Sequence, residues 1–595
     1  MNKKPLLWVG ISVGALVIVA AVGYLLFNDK VSNLVRSAAE MYIRSRVSSV
    51  VANASDSTVT VAFGDFDYGF FTHTLTIDNI TFSYLDSTNA TKQTLHVSID
   101  KLVCTGLAPW DVLFGTGLTL GTISVAHPVF TLDIIDRAGV RTNDIAPIDT
   151  ALVQLPQIPD VDSLLAILVA RALPADVSPL TIDSVMVMNA GGRTYIKNDT
   201  AHMHGTMEGV DLTARKISVG AGSKIDAHLL SDFSITIKRW HRIYSTGQDA
   251  LMEGGMVRIN GSDSSMSVAH ARLTKSGRNM YLAKGVVFSF AHHRLTIDSA
   301  YLGTAVTDKQ WLAAQKHPAD RMRISAEDVA MDNIDLDALT NGTALTVRKL
   351  SAGTLTIDIL SSKLGRRPRV ATRERMPHQL IRMIPFSVGI DTITVANASV
   401  RYAELRHESS SPGLLTWSKI EVTVTGLSSD TILQRHQPLK ISAKGLFYDH
   451  AVMSATFAFP LHVTTYQMHG EGYMRGFDIT RLNSFLPAIE GLRITSGFSD
   501  KATFRFDVRG RVARGFVDPV YRDLDFKYVN KRTKKGSWFT DITSFFGSWL
   551  GVKNDNPIGK KHQIGKVSYT IPRNSAIMET IWFPIRDGLG DVAGF

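Results

Sequence analysis

The chain reads as a mainly β protein behind a single amino-terminal transmembrane helix, with a long antiparallel sheet and a few short helices. Three observations predict this. Leu6 to Phe27 (LLWVGISVGALVIVAAVGYLLF) is an unbroken uncharged run. From Thr58 onward the apolar residues recur every second position, and β-branched and aromatic side chains are frequent, the pattern of strands with one polar and one apolar face. Helical periodicity returns only in short stretches.

The 22 residues from Leu6 to Phe27 make a helix of roughly 33 Å, enough to cross a hydrocarbon core of about 30 Å. Leu6, Trp8, Leu16, Tyr24 and Phe27 are the expected anchor contacts. Lys3 and Lys4 precede the run, so the amino terminus is expected in the cytoplasm and the bulk of the chain outside. A cleaved signal peptide has a shorter apolar core, roughly 7–15 residues before small residues at the cut, whereas bulky Tyr24 to Phe27 close this one. An uncleaved anchor over 1–29 is therefore expected. Leu164 to Leu173 is too short to span and carries Arg171.

Residues 30–57 follow as a helical connector, with Val31, Leu34, Val35, Ala38 and Tyr42 at helical spacing and charges on the remaining surface. The β-rich body is expected over 58–377. Within it, LTIDNITFSY (75–84), LTIDSVMVMN (180–189), LTIDSAYLGT (295–304) and GIDTITVANASVRY (389–402) share Ile-Asp followed by alternating apolar positions. This echo favours a repetitive sheet, with the polar residue after Ile placed near a strand junction. Its spacing is irregular, so it is not a fixed-period solenoid. Thr307 to His317 and Ile479 to Glu490 are expected as short helices, the second interrupted by Pro487. The basic stretch Gly365 to Arg382 reads as a loop and a turn of helix before a strand at Ile384 to Val388, and a second β module is expected over 378–595.

Composition narrows the function. With 595 residues, the chain usually forms more than one core, and 20% charged with 45% apolar residues is ordinary for folded protein. The net charge of +10 suits nucleic acid or an anionic membrane surface, and tethering outside the cytoplasm favours the membrane. The single cysteine, Cys104, leaves packing and β-ladders to hold the fold.

No catalytic signature survives inspection. Gly10 to Gly14 matches G-x-S-x-G only inside the membrane run. His202 with His204, and His292 with His293, lack the three or four ligands of a zinc site and read as solvent-facing. Asp65 and Asp67 lie in GDFDYG (64–69) and read as turn chemistry. Asn79, Asn89 and Asn397 open N-x-[ST] triplets. Phosphate loops, dinucleotide fingerprints and HExxH do not occur, so neither an enzyme nor a cofactor or metal is expected.

The carboxy-terminal region is the most suggestive surface. Lys527, Lys531, Arg532, Lys534 and Lys535 lead into GSWFTDITSFFGSWLGV (536–552), where Trp538, Phe539, Phe545, Phe546 and Trp549 belong to an aromatic helix. Such a stripe fits an interfacial membrane helix. It equally fits a helix capping the open end of the sheet.

The segments HQLIRMIPFSVGIDTITVANASVRYAEL (378–405), GFDITRLNSFLPAIEGLRITSGFSDKATFRFDVRGR (476–511) and the end over 515–588, with NPIGKKHQIGKVSYTIPRN, are similar to parts of the AsmA-like proteins of bacterial envelopes, the AsmA, TamB and YhdP type. Over 1–377 the chain resembles them only in anchor placement and β-content. The resemblance implies a repeating β-groove, curved and apolar on its concave side, in the periplasm of a cell whose inner membrane holds the anchor. It also implies binding or conduction of phospholipid acyl chains for outer-membrane biogenesis, with no nucleic acid as partner. The alternative is a non-enzymatic envelope scaffold that meets a protein partner and assists outer-membrane protein assembly. What separates them is whether a second protein layer covers the apolar face.

Overall fold

The computed structural model describes residues 57–69, 72–87, 91–106, 118–136, 180–197, 201–219, 232–260, 264–275, 279–340, 343–364, 376–384, 386–406, 411–528, 554–572 and 577–593. Across these the protein is mainly β, with few helices. The chain forms two compact units, Met1–Gly277 with Leu282–His292, and Arg278–Tyr281 with His293–Phe595.

The first unit holds β1 (Ser57–Ala62), β2 (Phe66–Gly69), β3 (Thr74–Ser87), β4 (Thr91–Cys104), β5 (Leu118–Ala126), β6 (Val129–Asp136), β7 (Leu180–Lys197), β8 (His202–Val219), β9 (Asp232–Tyr244), β10 (Asp249–Asn260), β11 (Ser265–Lys275) and most of β12 (Asn279–Ser289). β1 and β2 lie end to end along β3, and β5 and β6 lie end to end along β4. From β7 to β11 the strands pair antiparallel in sequence order.

The second unit holds β13 (Arg294–Thr304), β14 (Ala319–Ile334), β15 (Ala344–Ser362), β16 (Ser387–Leu405), β17 (Gly413–Ser428), β18 (Leu439–Phe447), β19 (Ala451–Phe459), β20 (Gln467–Asp478), β21 (Leu492–Arg509), β22 (Val512–Tyr528) and β23 (Gly565–Thr570). Its helices are α1 (Asp308–Ala313), α2 (Leu336–Thr340), α3 (Pro377–Leu380), α4 (Thr431–His436), α5 (Leu486–Glu490) and α6 (Ile577–Ala593).

The expected all-antiparallel order is corrected at two steps. β5 and β6 pair parallel to β7, and β15 pairs parallel to β16. A parallel neighbour requires the chain to cross back, and the long connections 137–179 and 363–386 supply that length. Hydropathy alternation carries no information about strand direction, so the sequence reading had no access to it.

The Ile-Asp echo stands at the opening of β3, β7, β13 and β16, with its polar residue a few positions inside the strand rather than at the junction itself. In β3 the buried residues are Leu75, Ile77, Ile80, Phe82 and Tyr84, so a step of three interrupts the steps of two. Asn79 has φ 53°, and this left-handed residue turns the pleat by half a period. β4 takes its slip opposite, where Asp100 and Lys101 are both exposed between Ile99 and buried Leu102. The register therefore stays in step on either side, Ile77 facing Leu102 and Ile80 facing Ile99.

The same level is marked along the first unit. The β1/β2 and β5/β6 breaks occur there, followed by Asn189 in β7 (φ 50°), Gly209 in β8 (59°) and Gly254 in β10 (61°). Asn, Asp and Gly tolerate this conformation best, which explains their presence mid-strand. In the second unit, Asp328 of β14 (φ 53°) lies beside Gly353 of β15, and β16 bulges between buried Val395 and Ala398. An irregularity of this kind, a crease, bends the strand that carries it. Of the residues that open N-x-[ST] triplets, Asn79 lies at the crease of the first unit and Asn397 at the β16 bulge of the second. GDFDYG is likewise only half a turn: Gly64 and Asp65 exchange backbone hydrogen bonds with Asp78 at the crease, and Phe66–Gly69 is β2.

The short helices form as expected. Thr307 caps α1 with a reciprocal Gln310 contact. The 479–490 stretch is a 3-10 turn (Ile479–Ser484) followed by α5. Pro487 occupies the first turn of α5, where its missing N–H costs nothing, and so starts that helix rather than interrupting one.

α6 was not anticipated. Pro584, Gly588 and Gly590 make it a poor helix by propensity. Its apolar positions Ile577, Ile581, Ile585 and Leu589 recur every four residues, and that signal was present in the sequence. α6 lies across the end of the sheet, with Phe583 buried in one cluster with Leu439, Phe459, Phe506, Val508, Val517 and Val567. Asp587 and Asp591 of α6 accept from the backbone N–H groups of Ser568 and Lys566 at 2.8 and 2.7 Å, so the helix also satisfies the outer edge of β23. Phe485, Leu486 and Ile489 add cover over Leu492, Ile494 and Leu524.

Candidate functional site

In the first unit no helix is described, and the inner face of β9, β10 and β11 is the part whose apolar rows stay half-buried over three consecutive strands. β9 presents Phe233, Ile235 and Ile237 before the crease and Trp240, Arg242 and Tyr244 after it. The crease residues Lys238 and Arg239 are both exposed. Pairing places Met252 beside Trp240, and Gly255 and Val257 beside Ile237 and Ile235. A β-carbon at Gly255 would sit 3.1 Å from Met252 Cε and 3.7 Å from Ile237 Cβ, so the odd and even halves of the strand meet on one face. Met266, Val268, Ala271 and Leu273 of β11 continue the same rows.

These apolar side chains are not buried as a core would be. Phe233, Ile235, Ile237, Trp240, Met252, Val257 and Val268 are all half-buried, and Met266 is 37% exposed. No described helix is laid across them. Seven or more large apolar residues in one stripe exceed the scattered exposure that soluble surfaces carry.

The outer face differs in chemistry. Arg239 pairs with Glu253 at 3.9 Å, His241 and Arg272 share Asp249 at 3.0 and 3.4 Å, and Arg215 meets Asp232 at 3.4 Å. His202 and His204 project here too, the His204 ring 4.7 Å from Tyr195. His292 contacts Ser289 Oγ at 2.9 Å, and His293 contacts the Ile334 carbonyl at 3.2 Å. No group of three or more metal-ligating side chains occurs among the described residues.

A buried polar cluster of the second unit lies at the end of β14 to β16. The fully buried Arg321 side chain binds Asp358 and lies 3.4 Å from Asp308, and Arg401 binds Asp358 at 2.8 Å. Burial pushes the Asp358 carboxyl up, but the hydrogen bonds from Arg321 and Arg401 outweigh it, leaving the group below its ordinary value. Beside it, Tyr402 donates to buried Glu404, which also accepts from Arg406. Burial first, and then the Glu404 charge, push the Tyr402 phenol up. Every acid in this cluster is held by a cation or a hydroxyl, an arrangement that fastens strands rather than activating a nucleophile. Burial likewise pushes the Cys104 thiol up to about 12, so it is inert at neutral pH.

The anchor residues Leu6, Trp8, Leu16, Tyr24 and Phe27 and the aromatic residues Trp538, Phe539, Phe545, Phe546 and Trp549 lie outside the described residues. Among the described residues, no helix is long and apolar enough to cross a membrane. No protein-family model matches the chain, and neither does any curated protein.

Proposed function

We propose that the protein is an inner-membrane-anchored envelope protein of the AsmA-like type, whose creased sheet holds phospholipid acyl chains along its apolar inner face in the periplasm. The observation that carries this reading is the half-buried stripe from Phe233 to Leu273, apolar on a face with no described cover. Each CH₂ withdrawn from water there contributes roughly 0.8 kcal/mol, so an acyl chain binds without any fixed polar site or energy-coupling motif. Phospholipid is then the substrate of a transfer path serving the outer membrane, and no catalysis is required of the chain.

The covered stretch under α6 favours a second role for that part of the chain: a folded platform for an envelope protein partner, as in outer-membrane protein assembly. Native mass spectrometry of the purified protein separates the two. Phospholipid retained at one or more molecules per chain supports the lipid path. A lipid-free protein leaves the scaffold.

A further inference from the structure

The inner face is not uniformly apolar. Past Trp240, near the hairpin that joins β9 to β10, it becomes polar, and two of its buried polar atoms have no hydrogen-bond partner among the described residues. Arg242 stacks over the Trp240 ring, its guanidinium carbon 4.9 Å from the centroid. Its Nε is buried without a hydrogen bond, and it meets no carboxylate among the described residues. Arg272 on the opposite face also has a buried Nε without a hydrogen bond, but its terminal nitrogen is held by Asp249. Arg242 faces Ala250 across the strands, and alternation puts Gln248 on that same face, diagonal to Arg242 at roughly 7 Å. Gln248 is 8% exposed and its Oε1 is buried with no partner. On the other side, Gly205 is opposite both Thr194 and Arg242, and having no side chain it lets the Thr194 hydroxyl and the Arg242 stem close over it.

A buried guanidinium N–H and a buried amide oxygen left empty each cost stability, so both are expected to have a partner that arrives from outside. The guanidinium fork matches a phosphate oxyanion, and an amide oxygen needs a donor. We propose that Arg242 and Gln248, with Thr194 and Tyr244 beside them, seat the headgroup of a phospholipid carrying a hydrogen-bond donor, such as phosphoethanolamine. The phosphate lies on Arg242, and the ammonium donates to Gln248 Oε1. The acyl chains then run past Trp240 and Met252 toward Ile237 and Val257. The site rests on the lipid reading above and adds to it the headgroup class and the point where the headgroup leaves the apolar stripe.

The test measures binding to the full-length protein of phosphatidylethanolamine, phosphatidylcholine and diacylglycerol, all with the same oleoyl chains. The wild type is expected to bind phosphatidylethanolamine about tenfold tighter than diacylglycerol, the size of one charge-assisted contact. Arg242→Gln brings that ratio to within about twofold, while Arg242→Lys, which keeps the charge but loses the fork and the stacking on Trp240, retains only part of it. Gln248→Leu removes the preference for phosphatidylethanolamine over phosphatidylcholine, whose quaternary ammonium has no N–H. Glycerol 3-phosphate at millimolar concentration displaces nothing if the ligand is a lipid; displacement by it assigns the seat to soluble phosphates and overturns the proposal. Equal binding of phosphatidylethanolamine and diacylglycerol by the wild type, or an unchanged ratio in Arg242→Gln, overturns the headgroup seat while leaving the acyl face standing. Failure of the wild type to bind any of the three overturns both.

Discussion

The stretch from β9 to β11 and the stretch from β18 to β23 are built from the same alternating strands, yet only one of them has a described lid. In β18 to β23 the inner residues Phe506, Val508 and Val567 are 0–1% exposed under α6, and the 485–490 segment covers Leu492, Ile494 and Leu524. In β9 to β11 the corresponding rows remain half-buried. Alternation alone thus produces an apolar face but does not decide whether that face becomes a core or a surface for something else. The covering element decides it, and α6 reaches its place through tight backbone contact: a β-carbon at Gly588 would fall within 2.5 Å of Val517.

Removing the lid breaks the comparison most severely. Truncation after Pro572 deletes α6, exposes the cluster around Phe506 and Phe583 and frees the edge of β23. Thermal unfolding followed by circular dichroism is expected to lose the cooperative transition of the second unit. Single truncations measure the contrast more finely. Phe506→Ala is expected to cost about 3–5 kcal/mol in denaturant unfolding, as for other fully buried aromatics. Ile235→Ala, on the face without a described lid, is expected to cost about 1 kcal/mol, because its side chain is only half-buried among the described residues.

The polar cluster adds a pH dependence confined to the second unit. The Asp358 carboxyl lies below its ordinary value when folded, so its contribution is complete at neutral pH and is lost as pH falls through that lowered value. Asp358→Asn is expected to destabilise the protein by about 3 kcal/mol at pH 7, because it leaves the buried Arg321 charge short of a partner. The difference from wild type narrows as pH falls through the ordinary aspartate range, where the unfolded chain takes up the proton first, and closes once the native carboxyl protonates at its lowered value. The crease itself gives a further test: Gly254→Ala forces a side chain into a left-handed residue and is expected to cost about 1–2 kcal/mol. A neutral outcome would mean that the crease relaxes without that residue.

Much of this was legible in the sequence. The strands follow from period-two alternation, and α1 follows from Thr307 capping a short run ended by Pro318. The crease was half visible: Ile-Asp-Asn-Ile, Ile-Asp-Lys-Leu and Ile-Lys-Arg-Trp each place two polar residues between apolar ones. A strict period of two invites reading that pair as the end of a strand, whereas the structure uses it to bend one. Strand order and the two parallel steps were not legible, because they depend on which edges meet. α6 was obscured by Pro584 and its glycines, whose low propensity is overridden by tertiary packing. Arg242 drew no notice because one arginine in HRIY looks like any exposed cation until its row on the sheet is known.

The central claim is that the uncovered inner face is occupied by acyl chains. A photo-crosslinking amino acid placed at Met252, with a matched one at Leu251 on the outer face of the same strand, tests it directly in membranes containing native phospholipid. The account predicts phospholipid adducts at position 252 and essentially none at 251. Adducts absent from 252, or equal at both positions, would contradict it.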